Sequence, residues 1–318
     1  MLNKEKNFVS VVAYLHNSEK EIPAFLDYIV EELERNFEKS EVIFVNDASE
    51  DNSVSVIKEY LEKRKCNFMT NIINMSSYHG LEASMLAGVD LAIGAFVYEF
   101  DSITIDYSKK LFMEVYYEAL KGNDIVAATP AGNVEFPVSL FYYFYNKFRL
   151  SKGGSQTKLQ RETFRIVSRR AINRVQTLGK SVPYRKVMYQ NCGLGYKNLV
   201  YERTTKDKKN YRDKERKSRE NLAFDTLLMF TNAVQKVSMF LSMFFLIFTI
   251  GVGVFVVAVF FSGNKPVEGW TPMMGFMAAA FTGIFMLLTI LLKYMAVLFE
   301  ITFNKKRYLI SSIEKING

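Results

Sequence analysis

The sequence predicts an α/β protein in two parts, a mainly parallel sheet covered by helices on both faces and then a two-helix transmembrane hairpin. Three observations predict it. Short valine- and isoleucine-rich runs alternate with amphipathic stretches through residues 1–200, two long uncharged apolar runs lie within residues 239–292, and Lys and Arg cluster on both flanks of those runs. The mean hydropathy of +0.01 over 318 residues hides this division, because the first part mixes charges with short apolar segments and the second is almost free of charge.

The elements follow in order. Residues 8–14 form a valine-rich strand, and Ser18-Glu19-Lys20-Glu21 has the spacing of a capping box that opens a helix. That helix carries Ile22, Phe25, Leu26, Ile29, Leu33 and Phe37 on one stripe, and residues 41–45 return as a second strand. The alternation continues with helices near residues 54–61, 81–92 and 108–120 and strands near 71–75, 96–100 and 125–128. In such sheets ligands bind beyond the carboxyl ends of the strands. Those ends read His16-Asn17, residues 46–51, residues 76–80, Asp101-Ser102 and Thr129, nearly all polar. Asp47 and Asp51 suit two roles, capping the helix that follows or accepting hydrogen bonds from the base N–H and ribose hydroxyls of a nucleoside. His16 and His79 read first as satisfied neutral histidines beside this edge, and His16 also suits the lining of a base pocket.

Residues 239–261 and 273–292 are each long enough to cross ~30 Å of hydrocarbon as a helix. The connection between them is short and carries Lys265, Glu268 and Trp270, an interfacial residue. Basic residues precede the first span and recur at Lys293, Lys305, Lys306, Arg307 and Lys315, which puts both flanks in the cytoplasm. No Asp, Glu, Arg or His lies within either span, which argues against a pump or ion path. Gly275, Ala279 and Gly283 make a small-residue stripe suited to hairpin closure or homo-oligomerisation. Residues 221–236 fit either an interfacial amphipathic helix or an ordinary core helix.

The net charge of +8 is concentrated in residues 203–219, just before the first span, which favours lipid headgroups over nucleic acid. Cys66 and Cys192 lack partners at disulfide or zinc spacing and read as reduced cytoplasmic thiols, and residues 1–6 run into the first strand without the apolar core of an export signal. The expected organisation is a cytoplasmic domain over 1–200, a basic juxtamembrane segment over 201–236, spans over 237–262 and 273–299 around an external loop at 263–272, and a cytoplasmic tail over 300–318.

Ser10-Val11-Val12-Ala13-Tyr14-Leu15-His16-Asn17-Ser18-Glu19 and then Phe44-Val45-Asn46-Asp47-Ala48-Ser49-Glu50-Asp51 resemble the opening of family-2 glycosyltransferases. They resemble most the polyprenyl-phosphate branch, that of dolichol-phosphate mannosyltransferases and bactoprenol glucosyltransferases, whose pattern reads roughly SVVIPVYNE and VDDGSxD. Asn17, Glu19, Asp47, Ser49 and Asp51 match, whereas Tyr14 and His16 replace Pro and Tyr. His79-Gly80-Leu81-Glu82-Ala83 with residues 87–94 is similar to the FGKxAAxxAGxxxAxGD segment, Thr163-Phe164-Arg165-Ile166 with Arg169 to the acceptor-region FRL segment, and residues 300–317 to the tail after the second span.

The resemblance implies a GT-A-type, Rossmann-like domain at a bacterial plasma membrane. It would move one sugar from a nucleotide-diphosphate sugar to a polyprenyl phosphate at the cytoplasmic leaflet. It implies nucleotide-sugar contacts from His16, Asn17, Glu19, Asp47, Ser49, Asp51 and Gly80. Arg165, Arg169, Arg203 and Lys206 become candidates for donor or acceptor phosphate, because guanidinium grips phosphate bidentately. The catalytic set it implies is Asp101, Glu162 and Arg165. A phosphate acceptor is already ionised, so it asks little of Glu162 as a base. The chain lacks a QxxRW-like segment, which favours single-sugar transfer over polymer synthesis.

The chain departs from the family at the metal. The family's DADLQ becomes Asp101-Ser102-Ile103-Thr104-Ile105, so Ile103 and Ile105 stand where ligands for Mn or Mg are expected. Glu99 lies two residues before Asp101 on the same strand face, which leaves three readings open: a shifted Glu99–Asp101 metal pair, a site whose basic residues neutralise the diphosphate, or a chain that has lost catalysis. The functional alternatives are a weakened sugar-nucleotide-binding or scaffold protein and a same-fold transferase acting on a glycan.

Overall fold

The computed structural model describes residues 4–132, 160–177, 184–204 and 308–316, together with scattered helical positions between 143 and 298. The predicted alternation is present. In chain order β1 (Val9–Leu15), α1 (Ile22–Asn36), β2 (Ser40–Asn46), α2 (Ser53–Lys63), β3 (Met69–Met75), α3 (Leu81–Leu91), β4 (Phe96–Phe100), α4 (Leu111–Leu120) and β5 (Ile125–Pro130) follow one another. After them come β6 (Phe164–Ser168), α5 (Arg169–Thr177), α6 (Arg185–Asn191), β7 (Tyr196–Tyr201) and β8 (Ile310–Ile316).

The strands form one sheet in the order β7-β5-β6-β4-β1-β2-β3-β8. β1 lies parallel to β2 and β4, β2 to β3, and β5 to β7, whereas β6 runs antiparallel between β4 and β5 and β8 runs antiparallel beside β3. Strands β1 and β2 are buried along almost their whole length, which explains their continuous apolar runs without alternation. Their side chains enter two cores. Phe25, Ile29 and Leu33 of α1, Ile57 and Leu61 of α2 and Phe112 and Val115 of α4 cover one face. Met85 and Val89 of α3, Ile172 of α5 and Met188 of α6 cover the other.

Two differences from the sequence reading have local causes. The capping box at residues 18–21 is not made: the hydroxyl of Ser18 turns back to donate to the His16 carbonyl at 3.3 Å, and Glu19 reaches across to the neighbouring loop, so α1 begins after Glu21. The segment after position 300 is more than a tail, since β8 pairs with β3 and Glu314 accepts from Asn74 at 2.8 Å. Of the proposed hairpin only scattered helical positions are described, the segment at 205–239 lies outside the described residues, and among the described residues no helix is long and apolar enough to cross a membrane.

Gly88 explains the tight seating of α3. A Cβ there would stand 2.4 Å from Val12 Cγ1 and 2.7 Å from Val45 Cγ2, so only glycine lets the helix approach β1 and β2 this closely. Gly88→Ala is expected to destabilise the fold by about 1–3 kcal/mol through overpacking, read as a lowered urea midpoint at unchanged slope; an unchanged midpoint would show that α3 yields freely.

Candidate active site

The loops after β1 and β2 are knitted together by side chains that cap backbone groups of the opposite loop. The Asn17 N–H donates to Ser49 Oγ at 3.0 Å, Ser18 N–H to Ser53 Oγ at 2.9 Å and Glu19 N–H to Asp51 Oδ2 at 3.0 Å. In return Glu50 N–H donates to Asn17 Oδ1 at 2.7 Å and Asn52 N–H to Glu19 Oε2 at 3.2 Å. Asn17, Glu19, Ser49 and Asp51, four of the residues expected to contact a nucleotide sugar, are thus one hydrogen-bonded rim. Burial pushes the Asp51 carboxyl up, but hydrogen bonds from the Ser53 hydroxyl and from the Glu19 and Ser53 N–H groups outweigh it and hold the group below its ordinary value.

Asp47 lies beneath this rim, fully buried. Its Oδ1 accepts from His79 N–H at 2.7 Å, and its Oδ2 from Gly80 N–H at 2.8 Å and from Tyr14 OH at 2.9 Å. The carboxylate therefore secures the entry to α3, not that of the helix that follows it in sequence, and both oxygens are engaged inside the protein. His16 Nδ1 lies 2.7 Å from the Asp47 carbonyl and His79 Nδ1 2.6 Å from the Ser77 carbonyl. A carbonyl only accepts, so each ring carries its proton on Nδ1. His79 Nε2 in turn accepts from Leu309 N–H at 3.1 Å, which ties the segment before β8 to the loop before α3. His16 also packs against Tyr78, ring centres 4.8 Å apart.

At the end of β4 a second set of charges is sealed from solvent. β6 lies antiparallel to β4 with Arg165 directly opposite Glu99, and Arg165 is 0% exposed. Its Nη1 donates to Glu99 Oε2 at 2.6 Å, its Nη2 to Asp101 Oδ2 at 2.6 Å and its Nε to Glu162 Oε2 at 2.7 Å. α6 adds Arg185, which donates to Glu82 Oε2 at 3.0 Å, to Asp101 Oδ1 at 2.8 Å and to Glu99 Oε2. Tyr189 OH closes on Glu99 Oε1, and Tyr196 OH on Glu162 Oε1 at 2.6 Å. Lys186 Nζ stands 3.5 Å from Asp101 Oδ2. The two sets meet at the first turn of α3, where Gly80 binds Asp47 and Glu82 binds Arg185.

The expected roles at this end of the sheet therefore change. Arg165, expected to grip a ligand phosphate, has every nitrogen committed to carboxylates and serves as their counter-ion. Glu162, expected to act as a base, has both oxygens filled. Glu99 and Asp101 do face the same way, but their oxygens are taken by arginine, lysine and tyrosine. Arg169 donates to the carbonyls of Ala92 at 2.7 Å and Gly94 at 3.0 Å, which pins the turn before β4. Arg203 is exposed and lies 3.4 Å from Asp106, and Lys206 lies outside the described residues. Sequence reasoning missed Arg185, Lys186 and Tyr189. The available signal was electrostatic: carboxylates on a buried strand demand cations from elsewhere, and Arg185-Lys186 is a basic pair in the chain that follows β6.

The model of the family described as Glycosyl transferase family 2 matches residues 10–176, more than half of the chain, from the second residue of β1 through β6. The chain belongs to glycosyl transferase family 2. Among curated relatives, an uncharacterized glycosyltransferase of Synechocystis sp. is 24% identical over 203 residues, 61% of either chain, and the uncharacterized glycosyltransferase YkcC of Bacillus subtilis is 24% identical over 201 residues, 61% of this chain and 59% of that one. The chain thus spans about three fifths of the length of the curated relatives it matches. Among solved structures, glucosyl-3-phosphoglycerate synthase from Mycobacterium tuberculosis, in complex with Mn2+, uridine diphosphate and phosphoglyceric acid, aligns with a TM-score of 0.50 at 16% identity, over 70% of this chain and 78% of that one. That likeness is one of fold, the GT-A-like arrangement with a mostly parallel sheet.

The family pattern explains one strained position. Ala48 stands where the pattern has glycine and holds φ at 50°, in the left-handed region. Ala48→Gly is expected to stabilise the domain by about 0.5–1 kcal/mol, the left-handed cost less the chain entropy glycine adds, read as a raised melting temperature; a lowered one would show that the Ala48 methyl group makes contacts worth more than the strain.

The ion network predicts a pH dependence. Burial pushes the Asp101 carboxyl up, but Arg165, then Arg185 and Lys186, outweigh it and hold the group well below the usual carboxylate range. A folded value below the unfolded one gives stability that is complete above the unfolded pKa, near ~4, and is lost as pH falls through the folded value. Asp101→Asn is expected to cost about 3–5 kcal/mol at neutral pH, as breaking a buried pair does, and to flatten the acid limb of melting temperature against pH; an unchanged limb would assign it to other carboxylates.

Proposed function

We propose that this chain transfers a single sugar from a nucleoside-diphosphate sugar to a polyprenyl phosphate at a membrane surface. The observation that carries the reading is the family-2 domain over residues 10–176, whose β1, β2 and β4 loops converge on one sheet edge. In the reaction an acceptor phosphate oxygen attacks the anomeric carbon and the bond from that carbon to the diphosphate oxygen breaks. The electron pair leaves with the nucleoside diphosphate, and no proton need be removed from an ionised acceptor. That balance accords with Glu162 being filled by Arg165 and Tyr196 instead of free to act as a base.

Within this reading His16, Asn17, Glu19, Ser49, Asp51 and Gly80 form the donor rim, with Asp47 holding the rim in shape beneath them. The lipid acceptor draws support from the two uncharged apolar runs and from β8. Residues 204 and 308 both belong to the sheet domain, one just after β7 and the other just before β8, so any bilayer crossing between them occurs an even number of times. A hairpin satisfies this, and with basic flanks it keeps the domain on the cytoplasmic side.

The test is transfer of labelled sugar by the purified full chain, from a panel of nucleotide sugars, into the organic phase with polyprenyl phosphate present. Lipid-phase label from at least one donor is expected, with a loss of about tenfold or more in Asn17→Ala, in which the donor rim comes apart. Label that stays aqueous with every donor, or that enters a soluble glycan instead, would replace the acceptor assignment.

A further inference from the structure

The protein of similar fold whose solved structure holds Mn2+ raises the question of whether these residues fit a divalent ion, and they do not. All four carboxylate oxygens of Glu99 and Asp101 are already hydrogen-bonded: Glu99 Oε2 to Arg165 and Arg185, Glu99 Oε1 to Tyr189, Asp101 Oδ1 to Arg185 and Asp101 Oδ2 to Arg165. Freeing them would require withdrawing a guanidinium that is cross-strand to Glu99 and wholly enclosed, and another held also by Glu82. Ile103 is buried and offers no ligand, and among the described residues no group of His, Cys, Asp and Glu is arranged to hold a metal. An added divalent charge would also meet Arg165, Arg185 and Lys186 at contact distance, where like charges repel strongly in a site closed to water.

The same network leaves one cation with spare capacity. Arg165 and Arg185 spend Nε and both Nη nitrogens on carboxylates. The Lys186 ammonium has three N–H donors, and its ion partner, Asp101 Oδ2, stands 3.5 Å away, beyond good hydrogen-bond length. Lys186 and Asp101 are also less enclosed than the centre of the cluster, 7% and 8% exposed against 0% for Arg165 and Glu99. They stand at the carboxyl end of β4, where a parallel sheet of this kind binds its ligand.

We infer that this chain neutralises the donor diphosphate with a protein cation, the Lys186 ammonium, in place of a divalent metal. The inference rests on the transferase reading and deepens it. As the bond from the anomeric carbon to the diphosphate oxygen breaks, the leaving nucleoside diphosphate gains one negative charge, which the ammonium meets without transferring a proton. A fixed cation in a water-poor site supplies this stabilisation without reorganisation. Arg165 and Arg185 are positioning residues: by saturating Glu99 and Asp101 they keep those carboxylates from repelling the phosphates.

The test uses the purified full chain, with UDP and GDP as probes. Calorimetric binding of at least one of them is expected to be equal in EDTA and in Mn2+, and an Mn2+ titration of the protein alone, followed by the electron-spin resonance of the free ion, is expected to show no stoichiometric uptake. Lys186→Ala should weaken nucleotide binding in EDTA about 10- to 100-fold, as loss of a charge-assisted hydrogen bond does, and Lys186→Arg should restore most of it, each variant retaining a cooperative melt. Binding that requires Mn2+, uptake of Mn2+ abolished by Asp101→Asn, or full binding by Lys186→Ala would overturn the inference while leaving the transferase reading in place. Failure of both probes and of every nucleotide sugar in the donor panel, with and without Mn2+, would overturn the two together.

Discussion

Glu99 faces Arg165 across the β4–β6 pair with neither side chain exposed, and much of the architecture around the sheet's active edge follows from that one contact. A carboxylate on a central buried strand has a desolvation cost of several kcal/mol unless a counter-ion lies within hydrogen-bond reach. β6 brings that counter-ion by inserting antiparallel between β4 and β5, which separates two strands that would otherwise pair. One guanidinium then satisfies three carboxylates at once, those of Glu99, Asp101 and Glu162, and Arg185 joins Glu82 to the same group. With three cations against four carboxylates the cluster stays close to neutral, and Tyr189 and Tyr196 fill the oxygens that remain. β4, β6, α3 and α6 are thereby fixed to one another by bonds that cannot be exchanged for water.

The neighbouring loops are organised by a similar rule at a lower charge density. Asp47 holds the entry to α3, Asn17 and Glu19 exchange hydrogen bonds with the loop after β2, and the cost of a left-handed Ala48 is carried by this cross-linking. The side chains expected to meet a ligand thus bond first to one another. β8 extends the constraint to the far end of the described chain: its pairing with β3 and the Leu309 bond to His79 link whatever lies between residues 204 and 308 to the loop beside Asp47.

Much of the fold was legible in the sequence. The β1–β5 alternation emerges because buried parallel strands must be apolar runs and their covering helices must be amphipathic, and both patterns depend only on near neighbours. The polar strand ends were legible for the same reason. The missed capping box shows the limit of that logic, since Ser18 and Glu19 have partners 33 to 35 residues away that a local rule does not consider.

The sequence by itself determined the order of strands and helices and the polar edge, because each is a property of residue type at short spacing, while the resemblance to the family pattern marked Ile103 and Ile105 as standing where metal ligands are expected. Only the tertiary structure decided that β6 enters between β4 and β5, that residues after 300 return as β8, and that Arg165, Arg185 and Lys186 meet Glu99 and Asp101. Those outcomes come from pairing of backbone edges and neutralisation of buried charge between segments up to 240 residues apart, as with Glu314 and Asn74, and such partners carry no periodic signal in the chain.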